Sequence, residues 1–251
     1  IAITRISQHL GQYHGFLLDG ITGSGKTEVY IQVIEKALAQ DRQVLVLVPE
    51  IGLTPQTIAR FKARFHTDIV LLHSGLNDTQ RLQAWQKAHM GKANIIIGTR
   101  LAVFCPLPRL GLIILDEEHD LSFKQQDTFR YHARDVAMYR AFKEKCPIVL
   151  GSATPSLESL YLVQQNKLQH LQLNQRAGVA NPPTFQIIDL KLEQKQKGLA
   201  LPLIRRIRTE LEQNKQVLVF INRRGYAPVF MCTECAWQAD CPHCDTHLTL
   251  H

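Results

Sequence analysis

Residues 20–27 read GITGSGKT, behind the apolar run GFLLDG (15–20) and ahead of TEVYIQVIEKALAQ (27–40), whose apolar residues recur at helical spacing. The octapeptide matches G-x-x-x-x-G-K-S/T in full, and a strand before it and a helix after it are the context that gives that pattern meaning. Glycines let backbone N–H groups wrap phosphate oxygens without Cβ clashes, and the helix N-terminus adds a favourable dipole for the anion. Gly20, Ile21, Thr22, Gly23, Ser24, Gly25, Lys26 and Thr27 therefore form a candidate ATP-binding loop. Lys26 is expected to neutralise the β- and γ-phosphates and the Thr27 hydroxyl to ligate Mg²⁺. The motif alone does not choose between a kinase, a GTPase and a motor.

Outward from that loop, short runs of β-branched residues and Leu recur: VLVLVPE (44–50), DIVLLHS (68–74), NIIIGT (94–99), LGLIILDEE (110–118) and PIVLGSAT (147–154). Unbroken apolar runs fit strands buried on both faces, as in a parallel sheet. Helical patterns lie between them at TPQTIARFKARF (54–65) and DTQRLQAWQKAHM (78–90), the latter with Asp78 as the expected cap. Alternating strand and helix predicts an α/β fold with a doubly wound parallel sheet over 1–175. RAGVANPPTFQ (176–186) interrupts the pattern with Gly and paired Pro, so 176–200 reads as a linker containing the charged turn QKQKG (194–198). A helix at PLIRRIRTELEQN (202–214) and a strand at QVLVFINRRG (216–225) open a second α/β lobe over 201–230. A cysteine cluster occupies 231–251.

The chain has 251 residues, 45% of them apolar, enough for one full domain and part of another. No run of 18 apolar residues predicts a transmembrane helix, and no membrane partner is expected. The first residues lack the apolar core of a signal peptide and the initiator Met, so the chain reads as a piece of a longer, cytoplasmic protein. A formal charge of +7 fits a polyanion partner such as DNA or RNA, or simply a basic soluble protein. Of six cysteines, Cys105 and Cys146 sit in or beside apolar runs and read as buried small hydrophobes. Cys232, Cys235, Cys241 and Cys244 form two Cys-x-x-Cys pairs, a zinc-knuckle spacing, and a metal site fits them better than disulfides without a secretion signal. The five residues between the pairs are few for folding two knuckles onto one ion.

LIILDEEHD places Asp116, Glu117, Glu118 and His119 at the end of an apolar strand. Ligands bind beyond the carboxyl ends of parallel strands. Asp116 is assigned to the metal and Glu117 to the attacking water, with Lys26 and His119 completing the candidate catalytic set. Glu118 and His119 are expected to link the site to the next segment. GSATPS (151–156) ends another strand, and the hydroxyls of Ser152 and Thr154 can hydrogen-bond the acidic box and report nucleotide state.

With GITGSGKTEVY, LVPEIGLTPQT, LHSGLNDTQRLQAW, IIIGTR, DEEHDLSFKQQDTFRYHARD, GSATPSLES and FINRRGYAP in this order, the sequence resembles the superfamily 2 helicases. Over essentially all 251 residues it is most similar to the PriA (primosomal protein N′) family of replication-restart helicases. The resemblance implies a RecA-like P-loop lobe, the start of a second RecA-like lobe and a partial zinc-binding insertion. It also implies an ATP-dependent 3′-to-5′ DNA helicase that recognises and remodels stalled forks and initiates primosome assembly. Forked and single-stranded DNA, primosome proteins and single-strand-binding protein are the implied partners, and ATP, Mg²⁺ and two Zn²⁺ the implied cofactors. In such proteins the cysteine pairs are interleaved, so Cys232 with Cys235 would serve one ion and Cys241 with Cys244 another. Both would lack partner pairs here, with His243, His247 and His251 nearby.

Such helicases grip one strand through phosphate contacts and base stacking. Thr54, Gln56, Thr99 and Arg100 can donate to phosphates, and each is equally a helix-cap or turn residue. In SFKQQDTFRYHARD (122–135), Phe123, Phe129 and Tyr131 alternate with Lys124, Arg130, His132 and Arg134, a pattern suited to single-strand binding. The resemblance makes this an aromatic loop that couples DNA contact to ATP hydrolysis; the alternative is a loop whose aromatics tuck into the core. Arg223 and Arg224 end the expected strand of the second lobe. An adenine-reading Gln, the later second-lobe motifs and an arginine finger are not in the sequence, so the chain alone is expected to bind nucleotide weakly and hydrolyse it poorly. Alternatives are another DExH-type nucleic-acid translocase, a zinc-dependent interaction scaffold with a vestigial ATPase, and a small-molecule kinase. Intact Lys26, Asp116 and Glu117 argue against the scaffold, and a kinase needs no GSATPS.

Overall fold

Seven parallel strands form one sheet in the order β3-β4-β2-β5-β8-β1-β9. The computed structural model describes residues 1–52, 54–127, 129–176, 184–189, 193–196, 199–220, 232, 235, 237–242, 244 and 247–248. The chain divides into two units, Ile1–Asn181 and Pro182–His251.

In the first unit the elements run α1 (Ala2–Ser7), β1 (His14–Gly20), α2 (Lys26–Ala39), β2 (Gln43–Leu47), α3 (Pro55–Arg64), β3 (Ile69–Leu72), α4 (Asp78–His89), β4 (Ile95–Gly98) and β5 (Leu110–Asp116). A small hairpin of β6 (Lys124–Gln125) and β7 (Tyr131–His132) follows, then α5 (Ala133–Glu144), β8 (Pro147–Ser152), α6 (Leu157–Gln164) and β9 (Gln169–Leu173). Successive strand residues face opposite sides. Phe16, Leu18, Val44, Val46, Ile95, Ile97, Leu112, Ile114 and Val149 pack on one side with Val33, Ile34 and Ala37 of α2 and Phe61 of α3. Leu17, Leu45, Leu47, Ile96, Ile113, Ile148 and Leu150 pack on the other with Ala133, Ala137 and Ala141 of α5. Both faces are covered, which is why these strands carry unbroken apolar runs. Truncating one such residue to Ala would cost about 2–5 kcal/mol. The fold is the expected doubly wound α/β architecture. Cys105 and Cys146 are buried in it.

Three local readings are corrected. The N-cap of α4 is Asn77, not Asp78. Asn77 Oδ1 accepts from Gln80 N at 2.9 Å and Gln80 Oε1 accepts from Asn77 N at 3.2 Å, a reciprocal capping box. Asp78 is the first helical residue, where its carboxylate still favours the helix dipole. The edge strand β9, QHLQL, escapes the sequence reading because only Leu171 of it is fully buried. Residues 216–220 carry no strand, and 221–225 lie outside the described residues. An apolar run becomes a strand when neighbouring edges pair with it, and no described residue of the second unit pairs with this one.

In the second unit, β10 (Lys195–Gln196) and β11 (Leu199–Ala200) pair antiparallel inside the segment read as linker, and α7 (Leu201–Glu212) follows with Pro at its first turn. No helix among the described residues is long and apolar enough to cross a membrane.

A candidate nucleotide site at the carboxyl ends of the strands

The loop between β1 and α2 turns through Gly23 and Gly25, both left-handed with φ of 79° and 91°. A side chain at either is strained by that backbone. A Cβ at Gly20 would meet Ser24 Oγ at 2.5 Å and Leu173 Cβ and Lys26 Cγ at 3.1 Å, so glycine spares the loop a shift of those side chains. Lys26 Nζ donates to Gly20 O at 2.7 Å. Ser24 Oγ is buried without a hydrogen-bond partner. These features fit the phosphates of a nucleotide: a cradle of backbone amides, a lysine resting on its own loop, and an unsatisfied hydroxyl. A cleft of about 440 Å³ is lined by Thr22–Glu28 together with Arg60, Asp116 and Glu117. The candidate phosphate loop and acidic box thus face one space.

Asp116 ends β5, and Tyr30 Oη donates to its Oδ1 at 2.8 Å. Burial raises the Asp116 pKa, opposed by the Tyr30 hydrogen bond and by Lys26. Burial raises Glu117 too, reinforced by the charge of Asp116 and opposed by Lys26. Burial and then Asp116 push the Tyr30 phenol well above its usual range, so it stays a donor. Glu117 has φ of 48°. Among the described residues the other non-glycine positions of positive φ, Asp41, Lys145, Asn166 and Asn214, all follow or end helices; Glu117 instead directly follows a strand. Holding a glutamate there costs roughly 1 kcal/mol or more, and such strain collects at functional sites.

His119 and the GSATPS turn are brought together. His119 Nδ1 lies 2.7 Å from Ser152 Oγ and its Nε2 lies 3.4 Å from Thr154 Oγ1, while Thr154 N donates to Ser152 Oγ at 2.9 Å. His119 Nδ1 is 3.7 Å from Glu117 Oε2. Glu118 is fully buried. It accepts from Ser156 N, Ser156 Oγ and Ser159 Oγ at 2.7, 2.9 and 2.8 Å, and Arg134 lies 3.5 Å away. Ser156 is the N-cap of α6, so this carboxylate fastens the end of β5 to the start of that helix.

The residues read as DNA contacts divide. Thr54 caps α3, its Oγ1 accepting from Thr57 N at 3.2 Å, and Gln56 is exposed beside it. Thr99 is buried, and Arg100 Nη1 donates to Ser122 O and Lys124 O at 3.0 and 3.1 Å, tying β4 to the segment behind the acidic box. Phe123 is a correction: its ring is wholly buried in the core and offers no face to a base. The short 3-10 turn Leu121–Phe123 points it inward. Lys124 and Arg130 are exposed, and Phe129 is 74% exposed. Tyr131 is half-buried, with its ring 5.1 Å from Phe104 and 6.0 Å from Phe129. Arg223 and Arg224 lie outside the described residues, as do His243 and His251.

Among the described residues no group of three or more His, Cys, Asp or Glu is placed to hold a metal ion. Cys232 N donates to Trp237 O at 2.8 Å, and Asp240 bridges His247, whose Nδ1 is 2.7 Å from Asp240 Oδ1. The described cysteine pairs do not by themselves make a four-ligand zinc site.

Sequence reasoning missed three features. Tyr30 lies in a helix readable only as core. Arg60 lines the candidate nucleotide cleft from α3. A second cleft of about 220 Å³ at the ends of β3 and β4 is lined by Trp85, Leu101, Arg81, His73 and Arg100, among others. Trp85 sits on the helical face between α4 and that cleft, and its spacing carries no signal that separates it from core.

A DEAD/DEAH box helicase family model matches residues 2–163. The chain belongs to that family. It is 54% identical over 251 residues to Replication restart protein PriA of Haemophilus influenzae, covering all of this chain and 34% of that protein. It is 49% identical over 248 residues to Replication restart protein PriA of Synechocystis sp., covering 95% of this chain and 30% of that protein. The similarity to PriA proteins read from the motifs is thus shown along the chain, which spans about a third of the length of these relatives. A crystal structure of the DUF1998 helicase MrfA bound to DNA and AMPPNP shares the fold, with a TM-score of 0.50 and 16% identity over 70% of this chain and 26% of that one.

Proposed function

We propose that this chain is the nucleotide-binding lobe, with the start of the second lobe, of an ATP-dependent 3′-to-5′ DNA helicase. In the longer protein it recognises and remodels stalled replication forks and initiates primosome assembly. The observation that carries the reading is the shared cleft of the 20–27 loop, Asp116 and Glu117, with Ser152 and His119 beside it. Thr27 and Asp116 would hold Mg²⁺, which supplies charge neutralisation at the γ-phosphate. Lys26 leaves the Gly20 carbonyl to meet the phosphates. Glu117 is angled by its left-handed backbone to orient the attacking water. His119 passes the state of this site to Ser152 and Thr154.

DNA is gripped on the same end of the sheet. Gln56, Lys124 and Arg130 serve the phosphates, and Phe129 and Trp85 offer aromatic faces to bases. Forked and single-stranded DNA are the substrates; primosome proteins and single-strand-binding protein are the partners in a cytoplasmic setting. The pairs Cys232–Cys235 and Cys241–Cys244 each supply two thiolates, half of a tetrahedral set, to two zinc ions completed by ligands outside the described residues.

The test is ATP turnover with and without forked DNA, in this chain and in the chain extended to the length of its relatives. DNA-stimulated turnover in the longer chain, abolished by Lys26→Ala, is the expected result. Turnover indifferent to DNA in both would defeat the motor reading.

A further inference from the structure

Tyr30 stands on α2, four residues after Lys26, and is only 2% exposed. Its ring belongs to the apolar layer of Phe16, Leu18, Ile114 and Val149. A phenylalanine would fill that layer without a polar atom to satisfy. Burying a hydroxyl costs free energy unless it is bonded, and this one is bonded to Asp116 Oδ1 at 2.8 Å. On its other side the hydroxyl lies against Gly151. A Cβ added at Gly151 would overlap Tyr30 Oη and approach Asp116 Oδ1 to 3.3 Å. Gly151 is the ladder partner of Asp116 in the β5–β8 pairing, and its carbonyl accepts from Glu118 N at 3.0 Å. Its φ is not left-handed, so space rather than backbone conformation is what glycine provides here. Three elements, α2, β5 and β8, therefore meet at one phenolic oxygen.

We propose that Tyr30 is a positioning residue: its hydroxyl pins Oδ1 of Asp116, so that Oδ2 is presented to the divalent cation of a bound nucleotide, and Gly151 leaves the room that the hydroxyl needs. The proposal rests on the nucleotide–metal reading of the cleft. A carboxylate with one oxygen held has fewer orientations to lose when it binds a cation. Hydrogen bonds that orient a metal-binding side chain are typically worth roughly 10- to 100-fold in metal affinity. Because Gly151 adjoins Ser152, the same oxygen also lies beside the turn that contacts His119. A shift of that turn would press on Tyr30 and be felt at Asp116.

The test measures binding, not turnover. Affinity of the 251-residue chain for a fluorescent ADP analogue is titrated without divalent cation and across a Mg²⁺ series, and Mn²⁺ binding is followed by electron paramagnetic resonance. Tyr30→Phe is expected to leave metal-free ADP binding unchanged and to raise the Mg²⁺ and Mn²⁺ midpoints roughly 10-fold or more. Gly151→Ala displaces the same hydroxyl while keeping the tyrosine, and is expected to move the midpoints in the same direction; thermal unfolding of each variant reads the fold separately. Equal midpoints in wild type and folded variants would overturn the proposal. So would an equal loss of ADP affinity with and without metal, which would leave Tyr30 a core residue only. Absence of any Mg²⁺ dependence in the wild type is a different failure: it would remove the metal reading of the cleft itself.

Discussion

His119 Nδ1 sits 2.7 Å from Ser152 Oγ, joining the acidic box at the end of β5 to the turn at the end of β8. Ser152 is fully buried and His119 partly exposed, so water reaches this contact from the histidine side only. Ser152→Ala removes it and leaves the Lys26 and Asp116 machinery in place. In the full-length protein the variant is expected to bind ATP normally and to lose DNA stimulation of turnover about fivefold or more, as a hydrogen bond worth about 1 kcal/mol requires. Steady-state kinetics with and without forked DNA checks this; equal loss of basal and stimulated rates would place Ser152 in chemistry instead.

Glu118 predicts a stability effect rather than a catalytic one. It carries no exposure and collects three hydrogen bonds and Arg134, whose side chain is 8% exposed. Glu118→Ala leaves the guanidinium paired with Asp135 at 3.0 Å and bonded to Ser156 Oγ at 3.0 Å, but it strips the acceptor from the Ser156 and Ser159 donors at the start of α6. Leaving one buried donor unsatisfied costs about 1–3 kcal/mol. Urea denaturation followed by circular dichroism should show a drop in midpoint equivalent to at least that loss. A change below about 1 kcal/mol would mean that Ser156 and Ser159 find other acceptors.

The sequence makes most of the sheet readable because five of its strands are buried on both faces and continuous apolar runs record that burial, while the edge strand β3 is half-buried on one face yet keeps an unbroken apolar run. β9 lies at the edge and alternates polar with apolar, so it reads as loop. Asn77 and Asp78 are both good caps, and only the reciprocal bond with Gln80 selects the first. Phe123 sits among basic residues as a base-stacking side chain would, but a 3-10 turn, invisible in composition, rotates it into the core. The 20–27 loop and the acidic box are legible because their glycine, lysine and carboxylate spacing is a pattern with a known physical use in phosphate binding. The Tyr30–Asp116 contact spans 86 residues of sequence, and no local pattern records a pairing set by how α2 packs against the end of β5.

Trp85 provides the test of the second cleft. Only two tryptophans are present, so Trp237→Phe leaves Trp85 as the sole reporter. Single-stranded oligonucleotides are expected to quench its fluorescence, and an abasic oligonucleotide of equal length to quench it far less. Stacking on an aromatic side chain is worth about 1–3 kcal/mol per base, so Trp85→Ala should weaken single-strand binding at least about fivefold. Equal affinity for both oligonucleotides would confine this lobe to phosphate contacts.

The cysteines divide by burial, and a thiol titration reads the division directly. Burial pushes Cys105 up to about 11 and Cys146 up to about 12, from an ordinary value of 9.0, while Glu144 adds to the shift at Cys146. Thiolate is the reacting species. At pH 8 the native chain is therefore expected to show four fast thiols, from Cys232, Cys235, Cys241 and Cys244, which are exposed or half-buried, and two that react only on unfolding. The sign of the pH effect follows. Below about pH 8 both buried thiols are protonated in folded and unfolded chains alike and contribute no slope. Above pH 9 the unfolded chain releases protons that the folded chain keeps, so stability falls as pH rises toward the folded values. Replacing both by Ala should flatten that alkaline loss. Adding Zn²⁺ should slow the four fast thiols and leave the buried pair unchanged; if the four react at the same rate with excess Zn²⁺, the zinc assignment for this segment is lost.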